Sequence, residues 1–303
     1  MIIVNLKGGL GNQMFQYACG RALSLRRKDI LKLDVTGYGR TAGIDTPRQY
    51  ALKAFNIDES FANSSEINNL KYPLGIFSKG WRFVKAKVFR QYNVNFSSSM
   101  FDRLNKKSNV FMDGFWQTEK YFSDQADTLR KDFTLRETMS SEAQRILEEI
   151  KSSSTVSSSS ISLHIRRGDY VSDKNAQKTF SGITLDYYKE AVRYIENTYT
   201  NQNKKQILHI FLFSDDIEWV RQNLSLSHTM TFVSLPPNAK NRDAEEIVLM
   251  SSCDHNIIAN SSFSWWGAWL NQNPSKIIVA PKVWSKKEQW NYRDIIPTSW
   301  IRI

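Results

Sequence analysis

Cysteine is scarce in this 303-residue chain: it occurs twice, at Cys19 and Cys253. The two are far apart and each sits in an apolar helical pattern, which excludes a disulfide framework and fits a reducing compartment. No apolar run is long enough to span a bilayer. The start has no charged segment followed by a hydrophobic one, so no signal peptide is indicated. A soluble cytoplasmic protein is the expectation. His, Cys and carboxylates form no cluster with metal-ligand spacing, and Asp215-Asp216 is not an Asp-x-Asp, so no metal is predicted. Acidic residues are also short: 30 against 41 Lys and Arg, a formal net charge of +11. That balance suits nucleic acid, a membrane surface or an anionic small substrate. The basic and aromatic residues form no recognised nucleic-acid module, so no nucleic-acid partner is expected.

What is present begins with apolar content of 41%, enough for one large core or two medium ones, and the length favours two domains. The only low-complexity segment, KSSSTVSSSS (151–160), reads as a flexible linker. It sets the expected domains at 1–152 and 153–303. The stretch KYPLGIFSKGWRFVKAKVFR (71–90) holds six cations and no acid, interleaved with aromatic and β-branched residues. Such a stretch suits peripheral contact with an anionic membrane. The plainer alternative is a solvated helix whose Lys and Arg stems cover apolar surface.

Strand and helix signals alternate. The apolar run at 2–6 leads through a glycine-rich loop into a helix marked by Phe15, Ala18, Cys19, Ala22 and Leu25, and a second strand is expected at 30–34. Beyond 160, strands are expected at 161–165, 207–213, 231–235, 255–259 and 276–280, with helices at 185–197, from 217, at 244–252 and at 265–270. His164 and Arg166 share one strand face by period. The pattern predicts an α/β fold with a parallel sheet, whose ligands lie beyond the carboxyl ends of the strands.

Three polar clusters sit at such ends. Arg166-Arg167-Gly168-Asp169 offers rigid donor forks matched to phosphate, with a glycine permitting close approach; the alternative is an arginine paired with Asp169. Asn260-Ser261-Ser262-Phe263-Ser264-Trp265-Trp266-Gly267 precedes a helix, where hydroxyls and free N–H groups suit an anion. Its alternative is a Ser262 or Ser264 cap with core tryptophans. Ser214-Asp215-Asp216 could accept hydrogen bonds from a base or ribose, or cap a helix. Near the start, Gly8-Gly9-Leu10-Gly11-Asn12-Gln13 lacks the third glycine of a dinucleotide fingerprint. It reads as a tight turn presenting Asn12 and Gln13 to an interdomain cleft.

Five segments in order, GGLGNQMFQYA (8–18), GFWQTEKYF (114–122), HIRRGDY (164–170), FSDDIEW (213–219) and NSSFSWWGAWLN (260–271), resemble the inverting α-1,2-fucosyltransferases of glycosyltransferase family 11. The resemblance implies a GT-B type fold, two Rossmann-like domains with a cleft between them. Residues 1–152 would be the acceptor-side domain and 153–303 the GDP-fucose-binding domain, with no metal and no cofactor beyond the donor GDP-L-fucose. Arg166 or Arg167 would contact the diphosphate, the 260–264 loop, with Asn260, Ser261, Ser262 and Ser264, would hold it from the other side, and His164 and Asp215 would lie near the nucleoside. Gly11, Asn12 and Gln13 would face the donor from the other domain. The family's oxocarbenium-like transition state places negative charge on departing GDP, which fixed cations stabilise. Asp169 is the first candidate base, Glu119 the second, and the departing diphosphate the third. The implied reaction moves L-fucose to the 2-hydroxyl of a terminal galactose, in lipopolysaccharide, O-antigen or capsule synthesis inside a bacterium. Residues 38–109 carry no motif and are assigned to acceptor choice. The rivals are a transferase using another nucleotide sugar and a non-catalytic carbohydrate binder, since nine tryptophans suit sugar stacking.

Overall fold

The computed structural model describes residues 1–38, 48–71, 109–167, 183–202, 206–237, 239–285 and 294–303. They form two compact units, Met1–Arg136 with Trp290–Pro297 and Glu137–Gln289 with Thr298–Ile303.

In the first unit, β1 (Ile2–Asn5) is flanked by β2 (Leu31–Asp34) and β3 (Val110–Met112) in a parallel sheet of order β2-β1-β3. Ile2, Ile3 and Val4 are fully buried, as a central strand covered on both faces requires. α1 (Leu10–Arg27) returns across the sheet. Gly20 permits its close approach, because a Cβ there would collide with Val4 and crowd Leu31. The helix ends on Lys28 in the left-handed region, whose N–H bonds Leu25 O, with Arg26 and Arg27 complementing the dipole of its last turn. α2 (Ser64–Lys71) and α3 (Ala126–Asp132) complete the regular helices described in this unit.

The second unit runs α4 (Ser141–Ser153), β4 (Ser158–Ile165), α5 (Leu185–Asn201), β5 (Ile207–Ser214), α6 (Ile217–Asn223), β6 (Thr229–Phe232), α7 (Arg242–Ser252), β7 (His255–Ile257), α8 (Ser262–Leu270), β8 (Ile278–Ala280) and β9 (Ile301–Arg302). Its six strands lie in the order β6-β5-β4-β7-β8-β9, with every pairing parallel. Ile161, Leu163, Ile210, Leu212 and Ile257 pack against Val192 and Ile195 of α5. Trp265 and Trp266 are fully buried, and Trp265 stacks on Trp269 at 6.2 Å between centroids. These tryptophans are core, so the sugar-stacking role does not fall to them.

The serine run is not a linker. Its first residues finish α4, and Ser158–Ser160 open β4, a strand near the centre of the second sheet. Each hydroxyl inside finds a partner: Ser159 meets Tyr199 at 3.1 Å, Ser160 meets Asp254 at 3.1 Å, and Ser162 accepts from Asn256 at 2.7 Å. The units divide instead between Arg136 and Glu137. The basic stretch beyond Lys71 lies outside the described residues. Among the described residues no helix is long and apolar enough to cross a membrane. Cys19 and Cys253 are buried thiols, both raised in pKa by burial.

Candidate active site

In the second sheet β4 comes first in the chain and lies inside. The chain adds β5 and β6 on one side, then crosses to add β7, β8 and β9 on the other. The carboxyl ends of β4 and β7 therefore flank the topological switch point, where doubly wound sheets bind ligands. Arg166 and Arg167 follow β4 directly, and Asn260 and Ser261 lie just beyond β7.

The two arginines are held differently. Arg166 Nη1 lies 2.9 Å from Asp215 Oδ2. Arg167 donates its backbone N–H to Asp215 Oδ1 at 2.8 Å and its Nε to Asp216 Oδ2 at 3.0 Å, and its guanidinium covers the Trp219 ring at 3.9 Å. Asp216 also caps α6, accepting from the Trp219 N–H at 3.2 Å. The helix-cap reading thus holds for Asp216, while Asp215 serves both arginines. Both guanidiniums are partly exposed, so an anion can reach them.

His164 is 4% exposed and its ring lies 5.7 Å from Phe263 of α8. Burial lowers its pKa to about 4, with Asp215 opposing and Arg166 reinforcing the shift. The ring is therefore neutral at neutral pH, and its Nδ1 has no hydrogen-bond partner among the described residues. At the start of α8 the cap is Ser261, not Ser262 or Ser264: its side chain accepts from the Phe263 N–H at 3.3 Å. Ser264 is buried and donates to Ser261 O at 3.4 Å, and Asn260 donates to the Trp284 carbonyl at 3.1 Å. Ser262 stays half-buried at the first turn.

Sequence reading missed Glu246. It lies on α7, 8% exposed, paired with Arg242 at 2.9 Å, and burial raises its pKa to about 7, with Arg242 opposing and the fields of Asp243 and Asp215 adding to the rise. Glutamates on a helix are mostly exposed, yet Glu245 and Glu246 are both buried. Glu245 accepts from the Ser140 N–H at 2.6 Å and its hydroxyl at 2.7 Å, tying α7 to the start of α4.

The first sheet repeats the topology: β1 comes first, β2 joins one side and β3 the other, so the switch point lies beyond β1 and β3. Two motifs separate in sequence meet there. Lys7 Nζ pairs with Asp113 Oδ1 at 2.7 Å, Asn5 donates to the same oxygen at 3.0 Å, and Gln117 Nε2 donates to Asn12 Oδ1 at 2.8 Å. Gly8 supplies φ 81° for the turn. Lys7, Asp113 and Gln117 were not singled out from sequence; Lys7 beside the glycines was the available signal. Gln13 does not face outward as expected. It is fully buried, donates to Gly8 O at 3.0 Å and Gln49 O at 2.8 Å, and accepts from Ala51 N at 2.9 Å, so its amide braces the backbone. Gly11 is also buried. Glu119 is half-buried in a one-turn 3-10 helix (Glu119–Tyr121) capped by Thr118. Gly168 and Asp169 lie outside the described residues, and among the described residues no group of His, Cys, Asp and Glu could hold a metal.

Paired arginines and a helix start at the switch point of a doubly wound sheet define an α/β protein equipped for an anionic ligand. A family model, Glycosyl transferase family 11, matches residues 1–303, and the chain belongs to that family. It is 36% identical over 312 residues to an alpha-1,2-colitosyltransferase of Escherichia coli, covering 100% of this chain and 99% of that one. It is 30% identical to the O-antigen biosynthesis glycosyltransferase WbnK of Escherichia coli, covering 98% and 99%. A galactoside 2-alpha-L-fucosyltransferase of Caenorhabditis elegans is 26% identical, with 91% and 71% covered. Among solved structures, the alpha-1,6-fucosyltransferase NodZ soaked with GDP-fucose matches at 16% identity and a TM-score of 0.50, covering 89% of this chain and 91% of that one. The fold is the GT-B type, with two Rossmann-like units, and the protein is a glycosyltransferase.

Proposed function

We propose that this glycosyltransferase moves L-fucose, with inversion, from GDP-L-fucose to the 2-hydroxyl of a terminal galactose in a bacterial surface glycan. The observation that carries the reading is the oriented pair Arg166 and Arg167 at the carboxyl end of β4, beside β7, the strand whose following loop leads into α8. Negative charge that builds on the departing diphosphate meets fixed cations there, and fixed donors lower the barrier without reorganising. Arg166 contacts the diphosphate in this reading, with Ser261 and Ser262 across from it. The neutral Nδ1 of His164 is suited to accept from a nucleoside hydroxyl. Asp169 takes the acceptor proton, with Glu119 and the diphosphate itself as the other candidates. Direct displacement needs neither metal nor cofactor. In this reading the enzyme works in the cytoplasm at the inner membrane and takes part in surface-glycan synthesis, the process for which its Escherichia coli relative is named.

A second reading has a specific observation behind it: the Escherichia coli relative at 36% identity is named for colitose. Colitose is L-fucose without the 3-hydroxyl, so both donors offer the same anomeric carbon and diphosphate. The test is turnover of GDP-L-fucose, GDP-colitose, GDP-mannose and UDP-galactose with lactose, with and without EDTA, and product linkage by NMR. A 2-fucosylated product formed equally in EDTA is expected. Turnover of GDP-colitose alone would move the donor assignment to colitose, and turnover of only another donor would refute both readings.

A further inference from the structure

The two switch points differ in the groups they present. The second unit places two guanidinium forks at its sheet edge, matched by Asp215 and Asp216. The first places neutral amides there, around a single ion pair of Lys7 and Asp113. Around that pair lie Asn5, Asn12, Phe115 and Gln117, all partly exposed.

The unused hydrogen-bonding groups are the second observation. Asn12 and Gln117 join through one bond, from Gln117 Nε2 to Asn12 Oδ1 at 2.8 Å. That leaves the Asn12 amide nitrogen and the Gln117 amide oxygen without a partner among the described residues, one donor beside one acceptor. Exchanging oxygen and nitrogen in both amides leaves the same pair of capacities. Lys7 spends one of its three donors on Asp113 and is 40% exposed. A sugar hydroxyl both donates and accepts, and planar amides beside a cation and an aromatic ring match that chemistry.

The backbone sets this display firmly. Trp116 is buried at φ 55°, and the Thr118 N–H donates to Trp116 O at 2.9 Å, so Gln117 stands at the apex of a three-residue turn. The ring of Phe115 lies under the Lys7 ammonium at 5.0 Å. Buried residues 116 and 118 thus anchor a loop whose intervening side chain faces solvent.

We infer that Lys7, Asn12 and Gln117, supported by Asp113 and Phe115, form the hydroxyl-reading subsite for an uncharged galactoside acceptor. The inference rests on the proposed acceptor class and is independent of the donor. It is tested by titrating lactose, with GDP present, into the wild type and into Gln117→Ala and Lys7→Met, following binding by saturation-transfer NMR and calorimetry. Each variant should weaken lactose by about tenfold, the loss of a hydrogen bond or two. GDP affinity and melting temperature should stay near wild type. Lactose that fails to bind the wild type, binds both variants as it binds the wild type, or loses affinity only together with GDP would overturn the subsite. GDP-fucose turnover is scored separately, so an inert donor with lactose binding lost in the variants would remove the donor reading and leave the subsite standing.

Discussion

At the scale of single residues, Arg166 and Arg167 are chemically identical and structurally unlike. Arg167 is fixed by a ring, a carboxylate and its own backbone, and the Asp215 carboxylate that holds that backbone also pairs with the Arg166 guanidinium. Lysine keeps charge but loses the planar fork. Arg166→Lys is expected to lower kcat on the order of 10²-fold, as loss of a fixed oxyanion donor does. Arg167→Lys should instead lower stability by about 1 kcal/mol through loss of the Trp219 stack. Equal losses of rate and stability in both variants would refute the division. Glu246 makes a pH prediction. Its pKa in the fold is raised from 4.5 to about 7, so the stability linked to its protonated form is complete below pH 4.5 and is lost as pH rises through about 7. Glu246→Gln should therefore gain on the wild type between pH 5 and 8, in denaturant midpoints measured at each pH. A constant difference across that range would show that burial does not hold its proton.

At the scale of elements, the glycine in SWWGAWL has a packing reason. A Cβ on Gly267 would lie 2.7 Å from Met250 Cβ, where α8 crosses α7. Gly267→Ala should cost about 1–3 kcal/mol by overpacking, seen as a lower urea midpoint with an unchanged m-value. The alternating strands and helices were legible because apolar runs and turn residues mark them locally. β5 was expected at 207–213 and runs Ile207–Ser214; β6 was expected at 231–235 and lies at Thr229–Phe232. The serine run was misread because composition reports exposure, whereas β4 buries hydroxyls against Tyr199, Asp254 and Asn256 on other elements. Those partners lie 40 to 94 residues away, beyond any local window. The two readings separate experimentally: Ser160→Ala should cost about 1–3 kcal/mol by leaving the Asp254 carboxylate short of a partner, whereas a linker serine would cost nothing. The arginine and serine clusters of the site were legible as motifs. The Lys7–Asp113 and Asn12–Gln117 pairs were not, since only pairing of β1 with β3 brings them together.

For the whole molecule, the proposed assignment gives each unit one substrate and so one pattern of protection. GDP at a hundred times its Kd should add about 2.7 kcal/mol of stability. Hydrogen exchange should slow at 164–167, 214–219 and 260–264 and stay unchanged at 5–12; slowing confined to 5–12 would reverse the assignment. The division of the chain has another consequence. The first unit takes back Trp290–Pro297 after the second is nearly complete, and within it Ile295 and Ile296 are buried and Asp294 pairs with Lys120. On a ribosome, neither half can finish before nearly all of the chain has emerged. For recombination, if the first unit holds the acceptor as proposed, one crossover near residue 136 cannot exchange acceptor specificity cleanly between relatives. The graft must also carry the returning segment, because the first unit is discontinuous in the gene.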